Sequence, residues 1–248
     1  MFPTRRITLG GDVFRDEYSL AFDGIDGYVD CGNDSSLTVG TSDFTACAWV
    51  KLSSKGGSSH HDVIAKGDTL SDGNGWGVNF NENSNRIYLD IGNDSNNREN
   101  VTSGTNVWEY GKWYYVAVSR VNSTDTMNIY LDGLLIATQS SRTNDDIADS
   151  SSNFRIGSSD DERILNGNVS DVAYYNTALT ASQVKTIYNG REPYNHKEGV
   201  ASSNLVGWWR MGDGLENHSG TTIYDMSVNS NNGTMTNIAS DDFTGDTP

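Results

Sequence analysis

The sequence predicts an all-β chain folded as an antiparallel two-sheet sandwich, with one short helix near residues 180–189. Three observations predict it. Short apolar runs alternate with period two, as in Tyr18, Leu20 and Phe22 against Ser19, Ala21 and Asp23. Asp132-Gly133 separates two such runs, NIYL and LLIA, and supplies the positive φ angles of a two-residue hairpin turn. The 248 residues include 26 Gly but 3 Pro, a composition suited to many turns between short strands.

The elements follow in order. Residues 1–17 are polar and carry Arg5, Arg6 and Arg15 ahead of an acidic remainder, so they read as an arm that docks on a partner subunit. Residues 18–190 hold the sandwich. Asp23-Gly24 opens a turn, and residues 28–31 resume extended structure. Phe44, Ala46, Ala48 and Val50 share one strand face while Cys47 and Trp49 share the other, so this strand is central, apolar on both sides. Residues 79–91 form a hairpin around a polar turn at 82–85. Thr180 with Gln183 three residues on has capping-box spacing, Val184, Ile187 and Tyr188 give a short apolar face, and Gly190 suits a left-handed terminus. Residues 191–204 read as a connector and 205–248 as further strands. Cys31 and Cys47 read as buried thiols in neighbouring strands, since a core of this size needs no disulfide.

Charge narrows the function. A formal net charge of −16 excludes a duplex nucleic-acid partner, which requires a basic footprint. No run is long enough for membrane insertion, and the first residues lack the apolar stretch of a secretion signal. The acidity suits a crowded, soluble particle. Catalytic patterns are missing: no HExxH, GxSxG, Walker loop or Glu-x-Asp-x-Glu strand motif occurs. Residues 160–162, with Asp145 and Asp146, read as solvated loop acidity. His60, His61, His196 and His218 all fall in polar, loop-like sequence, and His60-His61 beside Asp62 reads as exposed. The chain is expected not to be an enzyme.

An ordered series of motifs carries a family resemblance. SLAFDGIDGYVDCG is followed by FTACAWVKLS, WYYVAVSRV, NIYLDGLLIA, NFRIGSS and GNVSDVAYYNTALTASQV. In this order they resemble the laminin-G-like branch of the concanavalin A-like lectin/glucanase jelly rolls, over roughly residues 18–190. The resemblance implies a jelly roll, in keeping with the sandwich above. It implies a calcium ion at the rim, with Asp23, Asp26 and Asp171 as candidate ligands, although Gly27 stands where relatives commonly place a second acid. It implies glycan recognition by loop aromatics and amides, for which Trp76, Trp108, Tyr110 and Asn74 are the candidates, with Tyr194, His60, Asn79 and Asn97 as further ones. Trp49, Trp113 and Trp208 lie in alternating strands and are assigned to the core.

The pieces LVGWWRMGDG and TTIYDMSVNSNNGTMTN resemble the opening strands of the same family, yet they come last here. They are expected either to complete their own sandwich or to contact a neighbouring subunit. This tail also resembles sequences of marine bacteriophage structural proteins. The expected function is therefore a non-catalytic structural or adhesive component of a virus particle, such as a capsid decoration or a tail-fibre protein. Its expected partners are other virion proteins, further copies of itself as a homo-oligomer, and host-surface glycans. The expected location is the virion surface. The alternative is a carbohydrate-binding module of a secreted bacterial enzyme or adhesin.

Overall fold

The computed structural model describes residues 15, 17–53, 59–67, 73–93, 98–140, 146–149, 151–159, 163–211 and 218–248. Almost all of the expected N-terminal arm, Asn97, Asp145 and residues 160–162 lie outside them. In chain order the strands are β1 (Ser19–Asp23), β2 (Tyr28–Asp30), β3 (Phe44–Leu52), β4 (His60–Lys66), β5 (Asn74–Asn81), β6 (Arg86–Asn93), β7 (Arg98–Thr102), β8 (Tyr114–Val121), β9 (Thr126–Leu131), β10 (Leu134–Gln139), β11 (Phe154–Ile156) and β12 (Asn166–Tyr175). After helix α1 (Ala181–Tyr188) come β13 (Leu205–Trp209), β14 (His218–Ser219), β15 (Thr222–Ile223), β16 (Gly233–Thr236) and β17 (Phe243–Thr244).

Two antiparallel sheets form the jelly-roll sandwich. The first runs β10-β9-β8-β3-β12-β1-β17, with β13 also on β12; the second runs β14-β15-β16-β2-β11-β4-β5-β6-β7. Their facing sides bury Leu20, Phe22, Phe44, Ala46, Ala48, Val50, Trp76, Val78, Leu89, Ile156 and Trp209. Alternation along each strand selects these residues, because successive side chains point to opposite faces.

The outer side of the first sheet is also apolar. Cys47, Trp49, Trp113, Tyr115, Tyr175 and Trp208 lie there under Val184 and Ile187 of the helix. This explains why β3 is apolar on both faces. The capping box of Thr180 and Gln183 starts the helix, and Asn189, rather than the expected Gly190 alone, takes the left-handed cap conformation with φ 50°. The Asp132-Gly133 turn has φ 48° and 75°, as a tight hairpin requires. The thiols are free and buried, but they do not lie in neighbouring strands. Cys31 follows β2 of the second sheet and Cys47 belongs to β3 of the first. Burial pushes the Cys47 thiol up to about 12.

The tail enters both sheets of its own chain. β16 pairs with β2, β17 with β1, and β13 with β12. β1 covers the first half of one edge of β12 (Leu20 opposite Val169), and β13 covers the second half (Trp208 opposite Ala173). At the junction Asp171 has φ 51°, and the pairing of β12 with β3 shifts register there. The Ser19 hydroxyl donates to the Asp246 carbonyl at 2.7 Å, so the chain's last residues lie beside its first strand.

Candidate functional site

The outer face of the second sheet carries polar side chains where the first sheet carries apolar ones. The register of β4 to β7 arranges them in rows. His60, Asn81 and Arg86 share one row; Asp62, Asn79, Tyr88 and Thr102 the next; Ala65, Gly77, Asp90 and Asn100 the third. The polar phase of the alternation builds this surface: the residues between them (Phe80, Ile87, Leu89, Val101) point into the core.

The base of the face is an ionic and amide network. Asn79 Nδ2 donates to Asp90 Oδ2 at 2.7 Å. Arg98 donates to Asp90 Oδ1 through Nε at 3.1 Å and Nη2 at 2.7 Å. Arg163, just ahead of β12, places Nε 3.0 Å from Asp62 Oδ2. Asp62, Asn79 and Asp90 are fully buried, while His60, Tyr88, Arg98, Asn100 and Thr102 are half-buried and form the accessible rim. Beside the third row, Arg155 lies over the Tyr28 ring at 4.7 Å. Among the described residues, the buried polar atoms without a hydrogen-bond partner include Asn79 Oδ1 and Arg163 Nη1 at the base of this face. Buried polar atoms are nearly always satisfied, so each such exception needs an explanation.

His60 ties the rim to this network. Its Nε2 lies 3.0 Å from Asn81 Nδ2, its Nδ1 lies 3.1 Å from Ser59 Oγ, and its ring meets Tyr88 edge-on at 6.1 Å. Burial, aided by the Arg163 charge, holds the imidazole below its ordinary range.

The expected site residues fare differently. Trp76 and Trp108 cannot act as sugar platforms, because both are core residues. Trp76 stacks on Tyr174 at 5.8 Å and Trp108 meets Phe80 edge-on at 5.6 Å. Tyr110 is half-buried against Trp108, and its hydroxyl donates to Glu82 at 3.2 Å; burial and Glu82 push it up to about 12. Asn74 is half-buried at the far end of β5 from Asn81, about 24 Å away along the strand. These four residues do not converge. Tyr194 is half-buried and accepts a hydrogen bond from the Val200 amide.

The calcium set does not fit either. Asp23 pairs with Asn166, whereas Asp171 lies beyond the other end of β1, about 16 Å along β12. Asp23 Oδ1 accepts from the Ile25 amide in a local turn. Asp171 accepts from Trp208 Nε1 at 2.5 Å and from His196 Nε2 at 3.2 Å. Among the described residues, no three of His, Cys, Asp and Glu gather closely enough to hold a metal ion. Nor do the histidines occupy exposed loops: His60 and His61 lie in β4, and His61 and His196 are fully buried. The Tyr175 hydroxyl lies 2.5 Å from His196 Nδ1, so the buried series Tyr175, His196, Asp171 and Trp208 pins the connector to the first sheet.

Sequence reasoning named Asn79 and His60 but missed Asp90, Arg98 and Arg163. The alternating polar positions of VNFN, YLDIG and RENVT were the available signal. What they lacked was the register that sets the three strands side by side.

Comparison with known proteins agrees with the fold. A laminin-G family model, described as the Concanavalin A-like lectin/glucanases superfamily, matches residues 23–185. A crystal structure from Bacteroides ovatus, of a protein provisionally assigned to carbohydrate binding, has TM-score 0.67 at 19% identity over 91% of this chain. This chain spans 60% of that protein. The native heptameric SAP-like pentraxin of Limulus polyphemus has TM-score 0.54 at 14% identity, covering 75% of this chain and 85% of its own. The binding domain of botulinum neurotoxin serotype G has TM-score 0.51 at 13% identity, covering 70% and 50%. No curated protein sequence matches. The motif order, the two-sheet sandwich and the family match together place this chain in the concanavalin A-like lectin/glucanase superfamily, in its laminin-G-like branch.

Proposed function

We propose that this chain is a non-catalytic glycan-binding protein, with the outer face of the second sheet as its contact surface. The observation that carries the reading is the set of planar amides, paired ions and half-buried rings on that face. Such a mixture matches a sugar, whose hydroxyls need donors and acceptors and whose C–H face needs a ring. The geometry is poor for hydrolysis. A glycosidase needs one carboxyl group carrying a proton toward the leaving oxygen. Both oxygens of Asp90 instead accept from N–H groups, and Asp62 faces a guanidinium. The test is a glycan array probed with the purified chain and with Tyr88→Ala. Binding that falls in the variant supports the reading; an array with no signal removes it.

The finer reading is an adhesive component at the surface of a bacteriophage particle. Its support is the resemblance of the 205–248 tail to phage structural sequences and the strong acidity of the chain. Mass spectrometry of purified particles tests it, as does the presence of capsid, portal or tail genes beside the coding sequence. A neighbourhood of polysaccharide-degrading enzymes would favour a carbohydrate-binding module instead.

A further inference from the structure

We infer that Arg86 receives an anionic group of the glycan, a uronate carboxylate or a sulfate ester, and that the ligand bears such groups sparsely. The inference rests on the glycan-binding reading and narrows it to a class of ligand.

The charge balance of the face leaves Arg86 over. Arg163 Nε lies 3.0 Å from Asp62, Arg98 Nη2 lies 2.7 Å from Asp90, and Arg155 Nε lies 3.8 Å from Asp30. His60 accepts a hydrogen bond from the Asn81 amide, which requires a neutral ring. Glu99 shares the inward phase of Val101 and does not face outward. Arg86, in the first row, makes no ion pair and no side-chain hydrogen bond among the described residues. The described outer face thus sets the guanidinium groups of Arg86, Arg98, Arg155 and Arg163 against the carboxylates of Asp30, Asp62 and Asp90, a local positive surplus in a chain of net charge −16.

Local structure explains why Arg86 stays unpaired. Its cross-strand partner is Asn81, whose Oδ1 already accepts from the Asn83 and Ser84 amides and the Ser84 hydroxyl and whose Nδ2 faces His60. On the other side β7 ends at Thr102, opposite Tyr88, so no β7 residue stands opposite Arg86. The neighbouring acids are committed. Glu82 meets His61 and Tyr110, Asp90 accepts from Asn79 and Arg98, and Glu109 pairs with Lys112. Arg86 is half-buried; its Nε is enclosed without a partner, whereas Nη1 and Nη2 are not enclosed. The open end is therefore a pair of parallel N–H donors, a fork that matches two oxygens of a carboxylate or sulfate. Tyr88 follows two residues later on the same face, about 7 Å along β6, so a sugar seated on its ring can turn a substituent toward Arg86.

The overall charge sets the spacing of those groups. A dense polyanion meets repulsion from the rest of this acidic chain. A glycan with isolated charges presents one to Arg86 and keeps the others beyond a screening length of about 10 Å.

Calorimetry with sparsely charged polymers (glucuronoxylan and gellan for carboxylate, κ-carrageenan for sulfate) tests the inference, each beside its carboxyl-reduced or desulfated counterpart, with laminarin as a neutral and heparin as a dense control. At least one sparse polymer should bind about tenfold or more tightly than its neutralised counterpart, and which one tells carboxylate from sulfate. Arg86→Gln should bring its Kd to that of the counterpart. Melting curves show whether the variant is folded; if it is not, Arg86→Met, which encloses no polar atom, takes its place. Equal binding of a charged polymer and its counterpart overturns the inference and leaves glycan binding standing. A preference kept in a folded variant overturns it as well, as does heparin as the tightest ligand. Silence across the whole panel removes the glycan reading itself.

Discussion

Asn81 fixes the protonation state of His60. The Asn81 Oδ1 accepts from the Asn83 amide, the Ser84 amide and the Ser84 hydroxyl. That locks the side chain with its Nδ2 toward His60 Nε2, 3.0 Å away. Two N–H groups cannot face each other there, so the ring nitrogen must accept and the His60 proton sits on Nδ1, toward Ser59.

The first prediction follows from that lock. The folded-state pKa of His60 lies below its ordinary value of 6.5, so below that value the unfolded chain binds more protons than the folded one. Stability from this group is fully present above about pH 6.5 and is lost as pH falls through the lower folded value. Arg163, Arg98 and His61 oppose the imidazolium and Asp90 favours it. Asn81→Asp puts a carboxylate against Nε2 and should raise the His60 pKa above 6.5. NMR titration of the His60 ring in both proteins checks the direction, and an unchanged midpoint in the variant would refute the lock.

Asp171 should behave as a structural acid, not a calcium ligand. Asp171→Ala leaves the Trp208 indole N–H and His196 without their buried acceptor, at a cost of about 2–4 kcal/mol. Calcium or EDTA should leave the melting temperature of the native protein unchanged. Thermal melts of both proteins, with and without each additive, make the measurement.

Arg98 and Asp90 form a pair whose halves are unequal. Asp90 is fully buried, whereas the Arg98 side chain is 30% exposed. Arg98→Ala should therefore destabilise by about 3–5 kcal/mol, because a buried carboxylate loses its counter-charge. Adding Asp90→Asn should recover part of that loss. Urea unfolding of the single and double variants reads the coupling.

The tail strands should be indispensable for folding. Residues 205–248 bury Trp208, Trp209, Met211, Ile223 and Met235. At about 1.5–3 kcal/mol for each large apolar side chain, their loss rivals the whole stability of a domain. A chain ending at residue 204 is expected to lose its cooperative melt in calorimetry.

Gly75 is required by its surroundings. It has φ 80°, and a methyl group there would overlap the Lys66 carbonyl oxygen. Gly75→Ala should lower stability by at least about 2 kcal/mol, with the change read by denaturant unfolding.

The strands, the 132–133 hairpin and the capped helix were legible because each obeys a local rule. Period-two alternation, Asp-Gly and Thr-x-x-Gln act within a few residues. The site was less legible, because it depends on register between strands. Asn79 and Asp90 touch only because β5 and β6 pair with Phe80 opposite Ile87. Trp76 looked like a loop residue because it stands between glycines in NGWGV. Gly75 lets β5 pass close to the Lys66 carbonyl of its neighbour, and the indole turns into the core. His196 gave no local hint of burial, since its partners Tyr175 and Asp171 lie far behind it in sequence.

β1 and β13 abut along a single edge of β12, and β17 then lies against β1. Spatial neighbourhood in this sandwich is thus independent of the order in which the ribosome delivers its pieces. A gene could be spliced so that its leading segments trail, and every ladder would still find the same companion.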